Sequence, residues 1–310
     1  MNLDKLDEKQ IEFLKIKKLE GLAKTTLDGY YKIFLNVNTF ARLEYEKPLK
    51  LKFQLLDYFT NISNNKNTTF NAKRKGLNTF FNYLITQNVV STNPIKELQI
   101  KKRKENTYPR PCSSEELKEF LKVIDINTYA GLRDYTFTIL IADTGVRPAE
   151  ATRLREKHIN IANSLLELDE SITKTSKPRI LPLSKLVLDN LLKLLELNQD
   201  FWNSDSLFLT SDGREMTTVN FQRRFVKHSK ASGVKITPYQ LRHFFGTEYL
   251  KNPSGNLIYL QNLMGHSDIS MTKKYIGIDK KALENNHKIA TPLNLILERN
   301  TRVRKLFKNK

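Results

Sequence analysis

The chain from Thr237 to Ile276, TPYQLRHFFGTEYLKNPSGNLIYLQNLMGHSDISMTKKYI, sets cationic side chains, histidines and a tyrosine at spacings suited to gripping and attacking a phosphate. Thr237, Pro238 and Gln240 spell a helix start: a hydroxyl cap, a proline where no amide hydrogen is missed, and a side-chain amide able to reach back. Tyr239, Arg242 and His243 then occupy the opening turns. Offsets of three and four residues share a helix face, so the three can converge near free amides and the positive end of the helix dipole, a natural seat for an anion. The helix is expected to end before Asn252-Pro253-Ser254-Gly255, and a second, from Asn256 to Met264, to stop at Gly265 in a left-handed cap. His266 stands at that corner, and Ser267 can cap a third, short helix carrying Tyr275. Flanked by Lys273 and Lys274, Tyr275 reads as an exposed tyrosine rather than a core one.

Three stretches carry a resemblance. An Arg242-His243 pair follows Tyr239-Gln240-Leu241; Leu263-Met264-Gly265-His266-Ser267-Asp268 comes next; and Tyr275 lies nine positions past His266. Upstream stands Thr144-Gly145-Val146-Arg147-Pro148-Ala149-Glu150, and between the two lies the hairpin-like Thr173-Lys174-Thr175-Ser176-Lys177-Pro178-Arg179-Ile180-Leu181-Pro182-Leu183. In order, spacing and chemistry the chain resembles the tyrosine recombinase (phage integrase) family. Where most members have a histidine three residues before the second arginine, this chain has Tyr239. A phenol can hydrogen-bond a phosphate but cannot relay a proton near neutral pH as imidazole does. Slowed rather than abolished cleavage is the expectation. His243 matches a histidine that often follows the arginine and reads as structural.

Composition bounds the partner. The 310 residues include 52 Lys+Arg against 33 Asp+Glu, a net charge of +19, which argues for a polyanion, with nucleic acid the first candidate. The one cysteine, Cys112, excludes an internal disulfide framework and fits a reducing compartment. MNLDKLDEKQ carries charges where a signal peptide needs an apolar run, and no segment approaches the ~20 apolar residues of a membrane span, so a cytoplasmic, membrane-free protein is expected.

The length predicts two domains. From Asp7 to about Gln87 the pattern is helical, with Ile11, Phe13, Leu14, Ile16 and Leu19 apolar in a first helix, Thr25 or Thr26 capping a second, and two more over about 51–60 and 69–87. Residues 1–98 thus read as a helical bundle. Lys73, Arg74 and Lys75 on the fourth helix are candidate phosphate contacts. Residues 99–112 form a basic, proline-punctuated linker whose Lys101, Lys102 and Arg103 suit contacts to a nucleic-acid backbone. Residues 113–288 read as the second domain: a helix capped by Ser113 or Ser114, a buried helix from Gly131 to Ala142, strands at 165–168 and 180–183, a leucine-rich helix from Leu186 to Leu197, a possible strand at 207–209, and a helix from Thr218 to Ala231 on which Arg223 and Arg224 form another candidate phosphate face. The fold class expected is mainly α with a small antiparallel β-sheet. Thr291-Pro292 repeats the cap signal of Thr237-Pro238, and Leu293, Ile296 and Leu297 make an apolar stripe in residues 289–310 that needs a surface to bury against.

Cutting a phosphodiester without a metal demands a nucleophile, cations around the non-bridging oxygens and an acid for the leaving hydroxyl. The resemblance implies Tyr275 as nucleophile, Arg147 and Arg242 on the phosphate, Lys174 as acid, His266 as hydrogen-bond partner, Tyr239 in the place of the family's histidine, and Glu150 orienting the cations. It also implies a C-shaped clamp on double-stranded DNA, a homotetramer on paired sites joined through the terminal helix, accessory DNA-bending or directionality factors, and no cofactor. No Walker-type loop, zinc spacing or compact acidic motif of the two-metal kind occurs. Because the chain starts almost at the bundle, a Xer-like or transposon-type recombinase is expected rather than one with an added arm-site domain. Two alternatives share the fold: a DNA-binding protein with weakened catalysis, and a type IB-like topoisomerase.

Overall fold

The computed structural model describes residues 3–105, 110–173, 178–252 and 254–275. The chain divides into two units, Met1–Thr107 and Tyr108–Lys310. Among the described residues no helix is long and apolar enough to cross a membrane.

The first unit is helical: α1 (Glu8–Leu19), α2 (Lys24–Asn38), α3 (Pro48–Asn61), α4 (Asn67–Thr86) and the short α5 (Pro94–Glu97). Its centre is aromatic. Phe13 meets Tyr30, Phe34, Phe80 and Tyr83 edge-on at centroid distances of 5.0–5.8 Å, the arrangement that sets ring edges against ring faces. Asp7 closes a capping box with Gln10 at the start of α1. The expected cap at Thr25 or Thr26 is not used: Ala23 precedes α2 without a side-chain bond, and both threonines lie inside the helix. Leu19, expected inward, is 87 % exposed because α1 ends there and the chain turns away at Gly21.

Residues 100–105 are bound to α4 of the same unit. The Asn71 amide clasps Arg103 from both sides, accepting from its backbone N–H and donating to its carbonyl, each at 2.9 Å. Asn67 donates to the Lys104 carbonyl, Arg74 Nε to the Ile100 carbonyl, and Arg103 lies 3.6 Å over the Phe70 ring while donating to the Ser63 carbonyl. The leading half of the expected linker is therefore docked structure.

The second unit comprises α6 (Ser114–Lys122), α7 (Tyr129–Thr144), α8 (Pro148–Ala151), β1 (Ile159–Asn160), β2 (Leu165–Leu168), β3 (Arg179–Pro182), α9 (Lys185–Trp202), α10 (Thr218–Ser232), α11 (Pro238–Lys251), α12 (Leu257–Met264) and α13 (Ile269–Lys273). The architecture is mainly α with a three-stranded antiparallel sheet in the order β1-β2-β3, Leu165 facing Pro182 and Leu168 facing Arg179. The segment 207–209 forms no extended strand, since Leu209 only bridges to Glu215. Helix α7 is buried nearly all round, which its apolar run predicts, and packs against α9 and α11. Phe137 of α7 stacks flat on Phe221 of α10 at 3.5 Å between centroids.

One polar cluster crosses this core. Asp134 of α7 is wholly buried and accepts from Arg133, Arg224 and His228, the last at 2.8 Å. Burial pushes its carboxyl up, but the three donors, His228 foremost, more than offset this and keep it ionised. Removing the carboxylate strands buried cationic donors. We expect Asp134→Ala to lower the unfolding free energy by about 3–5 kcal/mol in urea titrations; a loss under about 1 kcal/mol would show the cluster to be dispensable.

Candidate active site

Helix α7 ends at Gly145, whose φ of +64° turns the chain left-handed. A Cβ there would lie 2.2 Å from the Phe245 ring, so glycine is demanded twice over, by conformation and by space. The turn leaves Arg147 as N-cap of α8 with Pro148 at the first helical position. Glu150, one turn on, accepts from the Arg147 backbone N–H at 3.1 Å and from its Nη1 at 3.0 Å. The second guanidinium nitrogen of Arg147 donates to the Gly265 carbonyl at 2.6 Å.

Helix α11 opens with the anticipated capping box between Thr237 and Gln240. Arg242 in its second turn is 5 % exposed and donates to the carbonyls of Gly145 at 2.5 Å and Met264 at 2.7 Å. Helix α12 is capped by Asn256 and closed by Gly265 at φ +60°. The carbonyls exposed at the ends of α7 and α12 thus receive the two arginines, satisfying acceptors that a helix end leaves open. The guanidinium of Arg242, buried and beside Arg147, is pushed down to about 9 and stays cationic at neutral pH.

His266 follows the Gly265 corner. Its Nε2 lies 3.0 Å from Arg242 Nη2 and its Nδ1 2.8 Å from Thr272 Oγ1. A guanidinium has only donors, so Nε2 accepts and the ring proton resides on Nδ1, donated to the fully buried Thr272. Burial, then Arg242, Arg147 and Arg179, push His266 down to about 4, leaving it neutral. The cap of α13 is Asp268, which accepts from the Ser270 N–H, and not Ser267. This helix brings Tyr275 inward, against the exposed reading: it is 8 % exposed, its ring parallel to that of His266 and against Gly246, where a Cβ would lie 3.0–3.1 Å from three ring atoms. Two lysines just ahead of a tyrosine do not fix its exposure when the chain is turning back onto a helix. The Tyr275 hydroxyl lies 2.8 Å from His243 Nδ1.

Two participants escaped the sequence reading. Arg179 of β3 donates through both terminal nitrogens to Glu150, at 3.2 and 2.5 Å, and through Nε to the Leu263 carbonyl. Its side chain is 7 % exposed, whereas neighbouring Ile180 is largely solvated. Strand alternation carried the signal: Arg179 shares the inward face with Leu181, and an inward arginine requires a buried carboxylate. Burial raises the Glu150 carboxyl, but Arg179 and then Arg147 more than offset it, so Glu150 stays ionised below its ordinary range. The other is His243, one position beyond Arg242 and so turned toward a different neighbour.

Other named residues fall elsewhere. Tyr239 is 54 % exposed on the first turn of α11. Lys174 and residues 289–310 lie outside the described residues. In the first unit Lys73 donates to Asn36 at 2.6 Å, and burial lowers its ammonium; Arg74 and Arg103 are bonded as above; Lys75, Lys101 and Lys102 are exposed. On α10, Arg223 is exposed and Arg224 is paired with Asp134.

The sequence pattern of the phage integrase family matches residues 112–282, which contain every residue of this cluster. The chain belongs to the phage integrase family. As a family member it is an enzyme of the site-specific tyrosine recombinase type. It is 30 % identical over 219 residues to tyrosine recombinase XerD of Listeria innocua, covering 68 % of this chain and 72 % of that one. It is 27 % identical over 300 residues to tyrosine recombinase XerC of Staphylococcus carnosus, covering 94 % and 98 %. Among solved structures, the fold is shared with the Tn1549 transposon integrase in complex with a circular intermediate DNA, at TM-score 0.72 and 19 % identity over 91 % of this chain and 98 % of that one. It is shared also with a lambda integrase dimer bound to a COC' core site, at TM-score 0.70 and 17 % identity over 86 % and 93 %.

Proposed function

We propose that this integrase-family enzyme cleaves and rejoins double-stranded DNA at specific sites through a 3′-phosphotyrosyl intermediate, acting in the cytoplasm as a tetramer on paired sites. The observation that carries this reading is the gathering of Arg147, Arg242, His266 and the Tyr275 phenol around one pair of helix ends. Tyr275 Oη attacks phosphorus, and the arginines hold the non-bridging oxygens as charge builds. Glu150 holds Arg147 and Arg179 in place from behind. His266 hydrogen-bonds the phosphate; an anion entering the pocket raises its affinity for a proton and so restores a donor at Nε2. Lys174 protonates the departing 5′ oxygen. Tyr239, at the mouth of α11, reaches the same phosphate or its neighbour.

Lys75, Lys101, Lys102 and Arg223, exposed on the surface, follow the DNA backbone; Lys73, Arg74, Arg103 and Arg224 join them by exchanging or sharing their present partners. The net charge of +19 and the DNA-bound state of the neighbours named above support duplex DNA as the partner. Residues 289–310 dock on a neighbouring protomer, and accessory DNA-bending or directionality factors set the direction.

The test is a selection. The protein is incubated with a randomised duplex library, denatured and captured, and the strands that remain attached are sequenced. A shared sequence ending at a fixed 3′ phosphate is the expected result; no retained DNA would refute the cleavage reading. A second expectation concerns Gly246. Its Ala variant must push the Tyr275 ring by a few tenths of an ångström, and we expect about a tenfold slower adduct formation with unchanged duplex affinity. An unchanged rate would mean that the ring is not used where it now lies.

A further inference from the structure

We propose that His243 is the general base of the cleavage reaction, taking the Tyr275 phenol proton on Nδ1 as Oη attacks phosphorus. This rests on the phosphotyrosyl reading above. The geometry is direct: Nδ1 and Oη are 2.8 Å apart, with ring centroids 5.8 Å apart. Of the two possible directions for this bond, O–H donating to nitrogen pairs the better acid with the better base, so the proton resides on Oη and Nδ1 accepts.

The phenol needs such an acceptor. Burial raises its pKa, only partly offset by Arg242, so Tyr275 is un-ionised at neutral pH. A neutral phenol is a poor nucleophile until its proton is removed. His266, the other imidazole close to the ring, has Nε2 committed to Arg242 and its proton to Thr272. The groups facing His243 are Tyr275, and the cations Arg242 and Lys274, with His266 behind; burial and then the two cations lower its pKa and keep it neutral. Tyr239, where imidazole is usual in this family, is exposed and lacks a base near neutral pH. His243 supplies imidazole one turn further along the same helix.

The step balances. An Oη lone pair forms the Oη–P bond, the O–H bonding pair remains on Oη, and the proton passes to Nδ1; the P–O5′ bond breaks with its electrons on the 5′ oxygen, which takes a proton from the general acid. On rejoining, the 5′ hydroxyl attacks phosphorus while the conjugate base of the general acid takes back its proton, the P–Oη bond breaks with its electrons on Oη, and imidazolium His243 returns the proton to Oη.

The experiment uses the full chain and the duplex recovered by the selection, made with a bridging sulfur at the 5′ position, whose thiolate leaves without a proton. Single-turnover adduct formation is followed from pH 6 to pH 9. We expect His243→Gln to slow the reaction about 10²- to 10⁴-fold at pH 7. The deficit should shrink about tenfold per pH unit as hydroxide takes over the proton. Added imidazole should restore activity to His243→Ala, which guards against a folding defect in the glutamine variant. A deficit constant across pH, or below about threefold, or the absence of rescue in a folded alanine variant, would overturn the base role while leaving Tyr275 as nucleophile. A wild-type chain that forms no adduct would instead defeat the cleavage reading and the base role with it.

Discussion

Tyr275→Phe is expected to bind duplex DNA with wild-type affinity and to yield no covalent adduct at all. The substitution removes one oxygen and leaves the ring against Gly246 and parallel to His266. The lost hydrogen bond to His243 costs about 0.5–1.5 kcal/mol, too little to unfold the unit. A band of protein-linked DNA on a denaturing gel is the readout. Persistence of that band in the phenylalanine variant would assign the nucleophile to another residue and remove the main support for the proposed chemistry. Equal loss of duplex binding would show that the phenol serves recognition rather than attack.

Arg242→Gln is the second large effect. The guanidinium is nearly inaccessible and donates to Gly145, Met264 and His266 at 2.5–3.0 Å. Glutamine is shorter and brings two donors on one nitrogen, so it cannot span both carbonyls as a planar fork does. We expect cleavage to fall about 10²- to 10³-fold, the magnitude associated with removing a preorganised charge stabiliser. Leaving one buried carbonyl unpaired costs a further ~1–3 kcal/mol of stability. Urea titration separates the two effects. A variant that is destabilised but cleaves normally under native conditions would make Arg242 a purely structural strut between helix ends. Lysine should rescue neither property, since a point charge cannot serve two diverging carbonyls.

Much of this site could be read from residue order because each corner has its own local chemistry. Gly265 ends its helix left-handed as expected and Thr237 starts the helix that carries Arg242, so the backbone path around Arg242 and His266 is legible from turn signals. The reading failed where the deciding partner lies far along the chain. Tyr275 reads as exposed from its lysine neighbours, but Gly246, on another helix, makes the room that buries it. Arg179 carries no local sign of its role within the hairpin sequence, because its meaning depends on Glu150, 29 positions upstream. His243 reads as structural until α13 folds back and lays the phenol against it. In the first unit the same limit applies to Arg74 and Arg103, whose charges suggest nucleic acid while their nearest partners are carbonyls and the Phe70 ring.

Besides the Glu150 carboxylate and the His266 ring, main-chain oxygens of residues 145, 264 and 265 seat Arg147 and Arg242. An atom of the backbone is present whatever side chain is attached to it, so the main-chain part of this grip offers no side chain that a point substitution can delete. What it depends on is the path of the chain. The site is therefore tuned mechanically: any strain that unwinds the last turn of α12 slackens both guanidiniums together, and a ligand that tightens that turn stiffens both at once.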